Sequence, residues 1–157
     1  MQLRNAVSLI TGGSEGIGRA IAQALKAEGG RVTITGRDQD RLRATAEELA
    51  VEHEVADVGI EADAIRTVSG VVARHGRIDI LVNAAAQPGG QSGKPPGVAD
   101  ITNEMFFSEM NTKVLGYLRT AREVTPYMKS QGWGRIINIS GLAARTTGSI
   151  IGSVRNV

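Results

Sequence analysis

Eight consecutive residues, Thr11-Gly12-Gly13-Ser14-Glu15-Gly16-Ile17-Gly18, carry the spacing Gly-x-x-x-Gly-x-Gly. Strand-like Val7-Ser8-Leu9-Ile10 precedes the run, and a helix-period segment follows it. In that setting a glycine run is read as a phosphate cradle and not as a plain turn. Gly12 is expected to turn the chain out of the strand. Gly16 would let backbone approach a pyrophosphate without a Cβ in the way. Gly18 would let the following helix pack close to the sheet. The helix N-terminus then presents free N–H groups and a positive dipole end to the phosphates. The chemistry implied is the binding of a dinucleotide.

Which dinucleotide depends on the end of the next strand, where an enzyme selecting NAD usually places a carboxylate against the ribose hydroxyls. Here that position is Gly36, followed by Arg37. A carboxylate repels a 2′-phosphate, whereas a guanidinium grips one with two hydrogen bonds. NADP is therefore the expected cofactor, with NAD possible. Two features weigh the other way. Arg37 also reads as a solvated helix-start arginine near Asp38 and Asp40, and Glu15 stands in a turn where a basic residue often accompanies NADP preference.

Further short motifs follow in order. They are Asp57-Val58, the strand end Leu81-Val82-Asn83-Ala84-Ala85-Ala86, Asn111 in a long helical segment, and Gly134-Arg135-Ile136-Ile137-Asn138-Ile139-Ser140. With the glycine turn, they make the chain resemble the short-chain dehydrogenase/reductase family from Val7 to about Ala144. The resemblance implies hydride transfer between NADP(H) and a small carbonyl or alcohol substrate. It implies a cofactor site made by Thr11, Gly12, Ser14, Glu15, Gly16, Ile17 and Gly18, with Arg37, Asp57, Val58, Asn83, Ala84 and Ala85. Asp57 and Val58 would meet the adenine ring. Asn111 would hold a water of a proton relay, and Ser140 would orient the substrate oxygen.

The sequence departs from the family at several points. The reactive serine is commonly the second of a pair, and that position is Gly141. Ser140 is then either a shifted substitute or a serine satisfying backbone at a strand end. Asn111 also has a plain alternative, a polar residue on a wet helix face. Ala84 and Ala86 replace an amide and a glycine. The Tyr-x-x-x-Lys pair should begin about a dozen residues past the serine. That stretch reads Gly152-Ser153-Val154-Arg155-Asn156-Val157, with neither residue. Tyr117 and Tyr127 lie earlier, and neither has a lysine four residues later. Three functions remain open: an NADP-dependent oxidoreductase with altered machinery, a dinucleotide-binding module without redox chemistry, and an inactive, truncated relative.

The elements that must position these residues alternate strand and helix, the pattern of an α/β fold with a doubly wound parallel sheet, Rossmann-like. Strands are expected at Val7 to Ile10, Arg31 to Thr35, Glu54 to Asp57, Ile78 to Asn83 and Arg135 to Ser140. Helices are expected after Gly16, from Asp38 or Asp40 to about Glu52, and from Glu61 to Arg74 with Ile65, Val68 and Val72 inward. A long helix should run from Asn103 to Ser130, with Phe107, Met110, Val114, Leu118 and Ala121 as its apolar stripe and Pro126 kinking or ending it. Gln87 to Ala99, rich in proline and glycine, is expected to be a loop. The resemblance implies the order 3-2-1-4-5 and a sheet truncated after the fifth strand, the family fold ordinarily continuing to roughly 250 residues. The 157 residues are read as a single NAD(P)-binding domain, either a fragment or completed by a partner copy. A homo-oligomer is expected, because the long helix's apolar face needs cover.

Composition excludes other classes. The 41% of apolar residues supports a core, and 3% of aromatics makes that core aliphatic. So few aromatics, a net charge of only +2 and no basic block argue against nucleic acid. The absence of cysteine excludes disulfides and thiolate metal sites. His53 and His75 lie on different elements, so no metal site is expected. No apolar run approaches a signal-peptide core or a membrane span, and a cytoplasmic address is expected.

Overall fold

The computed structural model describes residues 3–86 and 98–140. Within them the chain runs β1 (Val7–Thr11), α1 (Gly16–Ala27), β2 (Arg31–Gly36), α2 (Gln39–Leu49), β3 (Glu52–Val55), α3 (Glu61–His75) and β4 (Ile80–Asn83). A single 3-10 turn (Val98–Asp100) leads to α4 (Asn103–Glu109), a π-helical turn (Met110–Leu115), α5 (Gly116–Ser130) and β5 (Arg135–Asn138). The five strands are parallel in the order β3-β2-β1-β4-β5. The chain leaves β1 toward β2 on one side and returns to place β4 on the other. That reversal makes the C-terminal ends of β1 and β4 the point where an open α/β sheet binds ligands.

Strand periodicity divides the core in two. Val7 and Leu9 of β1 join Leu81 of β4 in packing on Val68, Val71, Val124 and Met128 of α3 and α5. Ile10, Val32, Ile34, Ile80 and Val82 face the other way, onto Ala22, Leu42 and Ala46 of α1 and α2. Every residue of β1 is buried, as suits a central strand covered on both faces.

Several boundaries differ from expectation, each for a local reason. Helix α2 stops at Leu49 because Ala50 takes a left-handed conformation, φ 51°, which the sequence does not announce with a glycine. Strand β3 begins two residues early, at Glu52, and takes in polar residues. As an edge strand it pairs only with β2, and α3 supplies ion pairs from Arg66 and Arg74 to Glu54 and Glu52. Strand β4 begins at Ile80, after Asp79 has already bonded to Val7. In α3 the inward face is Ala64, Thr67, Val68 and Val71, while Ile65 is exposed.

The largest difference concerns the long helical stretch. It buries Thr112, Gly116, Thr120, Val124 and Met128. Phe107, Val114 and Leu118 of the apolar stripe point outward, Phe107 at 67% and Leu118 at 60% exposure. Thr112, Gly116 and Thr120 form the first part of the inner face, where the helix lies close to the Asp57–Val58 loop, and Val124 and Met128 follow in the core. A Cβ on Gly116 would stand 2.9 Å from Val58 Cγ2. Pro126 ends nothing, and α5 continues through it to Ser130. Of the loop expected over Gln87 to Ala99, residues 87–97 lie outside the described residues, as do Gly141 and the stretch from Gly152 to Val157.

Candidate functional site

The glycine turn builds the site from backbone alone. Gly12 has φ +68° and Gly16 φ +55°, conformations that L side chains rarely adopt. A Cβ at Gly12 would lie 2.7 Å from Ala85 Cα, so the turn is pressed against the end of β4. A Cβ at Gly18 would drive into the Gly12 carbonyl, so α1 sits directly on the turn it follows. Gly18 thus packs the helix on the loop and not on the sheet. Gly16 meets nothing within 4 Å and faces open space. Glu15, the N-cap residue, makes no side-chain cap, its carboxylate being held by Arg41 at 2.8 Å. The first-turn N–H groups of α1 are therefore left to whatever lies before them.

What lies before them is a cavity of about 570 Å³ across the C-terminal ends of the strands. Ser14, Glu15, Gly16, Ile17 and Gly18 line its middle. One end is formed by Thr35, Gly36, Arg37, Asp38, Arg41, Ala56, Asp57 and Val58. The other is formed by Ala84, Ala85, Ala86, Thr112, Lys113, Ile139 and Ser140.

The first end is polar and organised. Asp57 Oδ1 accepts from Gly59 N at 2.7 Å, and its Oδ2 faces Arg37 at 4.0 Å. Asp57 N donates to Asp63 Oδ2 at 2.8 Å. This bond, with the Arg66 guanidinium, holds the Asp63 carboxyl below its ordinary value. Asp63 thereby pins the loop that carries Asp57 and Val58. Asp38 caps α2 through Arg41 N at 3.0 Å, which brings Arg41 to the cavity edge. At Gly36 a Cβ would stand 3.2 Å from Ser14 Oγ, so a carboxylate-bearing residue there would crowd the cradle.

Three expected cofactor or relay residues lie elsewhere. Thr11 is buried, and its hydroxyl accepts from Ala84 N and Ala85 N, both at 3.3 Å, so it shapes the β4 end from beneath. Asn83 is fully buried. Its Nδ2 donates to Asn138 Oδ1 at 3.0 Å, and its Oδ1 accepts from Thr120 Oγ1 at 2.7 Å. It is a tie between β4, β5 and α5. Asn111 donates through Nδ2 to Gly59 O at 3.2 Å and does not line the cavity.

A profile of the short chain dehydrogenases matches residues 6–153. The chain belongs to this family. An oxidoreductase of Staphylococcus epidermidis of no assigned substrate is 30% identical over 98% of this chain and 67% of its own length. A Streptomyces coelicolor protein provisionally named a ketoacyl reductase is 34% identical, over 88% of this chain and 54% of its own. The chain thus spans about half to two thirds of these curated relatives. A short-chain dehydrogenase/reductase structure from Mycobacterium ulcerans superposes with a TM-score of 0.87 at 27% identity, covering 99% of this chain and 58% of that one. A metagenomic short-chain oxidoreductase, solved in complex with NADP, gives 0.86 at 30% identity, covering 99% and 71%.

Within this short-chain dehydrogenase, Ser140 is exposed at the cavity wall, two residues past β5. Asn111 is not beside it. The π-helical turn over Met110–Leu115 inserts one extra residue per turn, so side-chain directions no longer follow a period of 3.6. Asn111 is swung to Gly59, and Thr112 and Lys113 face the cavity in its stead. Sequence reasoning missed Lys113 for that reason. It also missed Arg41, for which a signal existed: Arg41 is the third residue of a helix whose N-terminus must lie at the ligand-binding edge. Among the described residues no cluster of three metal-ligating side chains occurs, and no helix is long and apolar enough to cross a membrane.

Proposed function

We propose that the chain is the single NADP(H)-binding domain of an oxidoreductase acting on a small carbonyl or hydroxyl compound. One observation carries the cofactor preference. The ribose end of the cavity has Gly36 where a carboxylate would select NAD, and two guanidiniums, Arg37 and Arg41, on its wall. The residues fit the dinucleotide elsewhere too: an open Gly16, uncapped N–H groups at α1, and Asp57 and Val58 at the far end. The Glu15 charge that weighed against NADP is paired with Arg41. The relative crystallised with NADP supports the same choice. When bound, the nicotinamide supplies a hydride donor or acceptor. The chain's own residues bind and orient it, and Ser140 offers a hydroxyl to a substrate oxygen.

The test is a pair of fluorescence titrations. NADPH should bind about tenfold or more tightly than NADH, and Arg37→Asp should erase or invert that ratio. Equal affinities in the parent protein, or a ratio unmoved by the substitution, would overturn the assignment. A second reading, a binding module without catalysis, is favoured by the lack of tyrosine in residues 141–157. Following NADPH absorbance with a panel of aldehydes and ketones separates the two: turnover supports the oxidoreductase, and cofactor binding without turnover supports the module.

We also propose a homo-oligomer assembled through the outward stripe of Phe107, Val114 and Leu118. Light scattering should give a multiple of 16.5 kDa. Leu118→Glu should shift it toward the monomer, and a monomeric parent protein would sink the proposal.

A further inference from the structure

We propose that Lys113 is a dinucleotide-binding residue, its ammonium contacting the nicotinamide half of the ligand. The inference rests on the dinucleotide reading above and assigns a residue to the cavity end that reading leaves without a charge partner.

The position follows from the helix. Lys113 lies inside the π-helical turn and Tyr117 just after it, in the first turn of α5. The Tyr117 hydroxyl lies 3.2 Å from Ala85 O and 3.3 Å from Ile139 O, where β4 and β5 end. Lys113 lines the cavity together with Ala85, Ile139 and Ser140. Charge is divided along the cavity. Arg37, Arg41, Asp57, Asp38 and Glu15 occupy the ribose end and the cradle. At the opposite end Lys113 is the one charged residue among the described residues, set in a wall of small and apolar groups. A dinucleotide whose adenosine lies by Arg37 and whose phosphates lie on α1 must place its nicotinamide riboside at that opposite end. An ammonium brings three donors and no acceptor, which suits ribose hydroxyls and a carboxamide oxygen.

Amine footprinting tests this. The whole chain is acylated with acetic anhydride, and the rate at each lysine is read by mass spectrometry. Adenosine 2′,5′-bisphosphate, which has the adenosine end alone, is compared with NADPH. Saturating NADPH should slow acylation of Lys113 about tenfold, and the saturating bisphosphate should leave it unchanged, as mass action at one site requires. Lys26 and Lys129, both exposed, should be indifferent to either ligand. In titrations, Lys113→Gln should weaken NADPH about tenfold and leave the bisphosphate unaffected. A merely structural lysine would weaken both alike, and that result overturns the inference. Equal protection by both ligands, no protection by NADPH, or binding of the bisphosphate without NADPH overturns it too. If neither ligand binds, the dinucleotide reading itself fails, and the inference falls with it.

Discussion

Gly18→Ala should cost about 2–3 kcal/mol of stability and abolish measurable NADPH binding, although alanine is the better helix former. Ordinarily an alanine at the start of a helix gains up to about 1 kcal/mol over glycine. Here the added methyl would enter the Gly12 carbonyl, and both atoms belong to backbone. Neither can rotate aside, so the glycine turn and the first turn of α1 must separate. That separation moves the N–H groups that form the cradle. Gly16→Ala is the contrast. Its Cβ meets nothing within 4 Å, and the cost is the left-handed φ alone, about 1 kcal/mol. Urea midpoints of the two variants should therefore differ clearly. Similar midpoints would show that α1 does not rest on Gly12 as described.

Asp79→Ala is expected to be the most damaging change outside the cavity, at about 2–4 kcal/mol. Asp79 is 2% exposed and accepts from Val7 N at 2.8 Å, from the Arg77 guanidinium and from Gln131 Nε2 at 3.3 Å. Arg77 sits half in water, so its charge is re-solvated when the partner goes. The damage comes from the Val7 N–H, left without an acceptor at the head of the fully buried central strand. Asp79→Asn keeps an oxygen for Val7 and should cost about 1–2 kcal/mol, chiefly the lost charge assistance from Arg77. Equal denaturation midpoints for the two variants would show that the N–H is satisfied some other way.

Legibility in the sequence followed the strength of the local signal. Strand β1 is an apolar run ended by Gly12, and β2 starts after Gly30 and ends at Gly36; both formed within a residue of where they were expected. Strand β3 is polar, and ion pairs from another helix hold it, so apolar pattern alone placed it two residues late. The glycine turn was legible because its requirement is for glycine, whose reasons are local backbone geometry. Arg37 directly follows β2 and Asp57 lies two residues past β3, and both line the cavity. Thr11, Asn83 and Asn111 were recognised by position in a motif, and a motif does not say whether a polar side chain faces a ligand or the protein.

The family resemblance supplied the strand order, and the sequence by itself determined the α/β class, the glycine turn and the cation that follows β2. Each depends on a few neighbouring residues and on the fixed periods of strand and helix. Only the tertiary structure decided which side of the long helix meets the sheet and which of its residues meets the cavity. Close approach of that helix to Val58 demands Gly116 on the inner face, while Phe107, Val114 and Leu118 point outward. The π-helical turn then shifts the register at the cavity, replacing Asn111 with Lys113. No period read along the chain contains that extra residue.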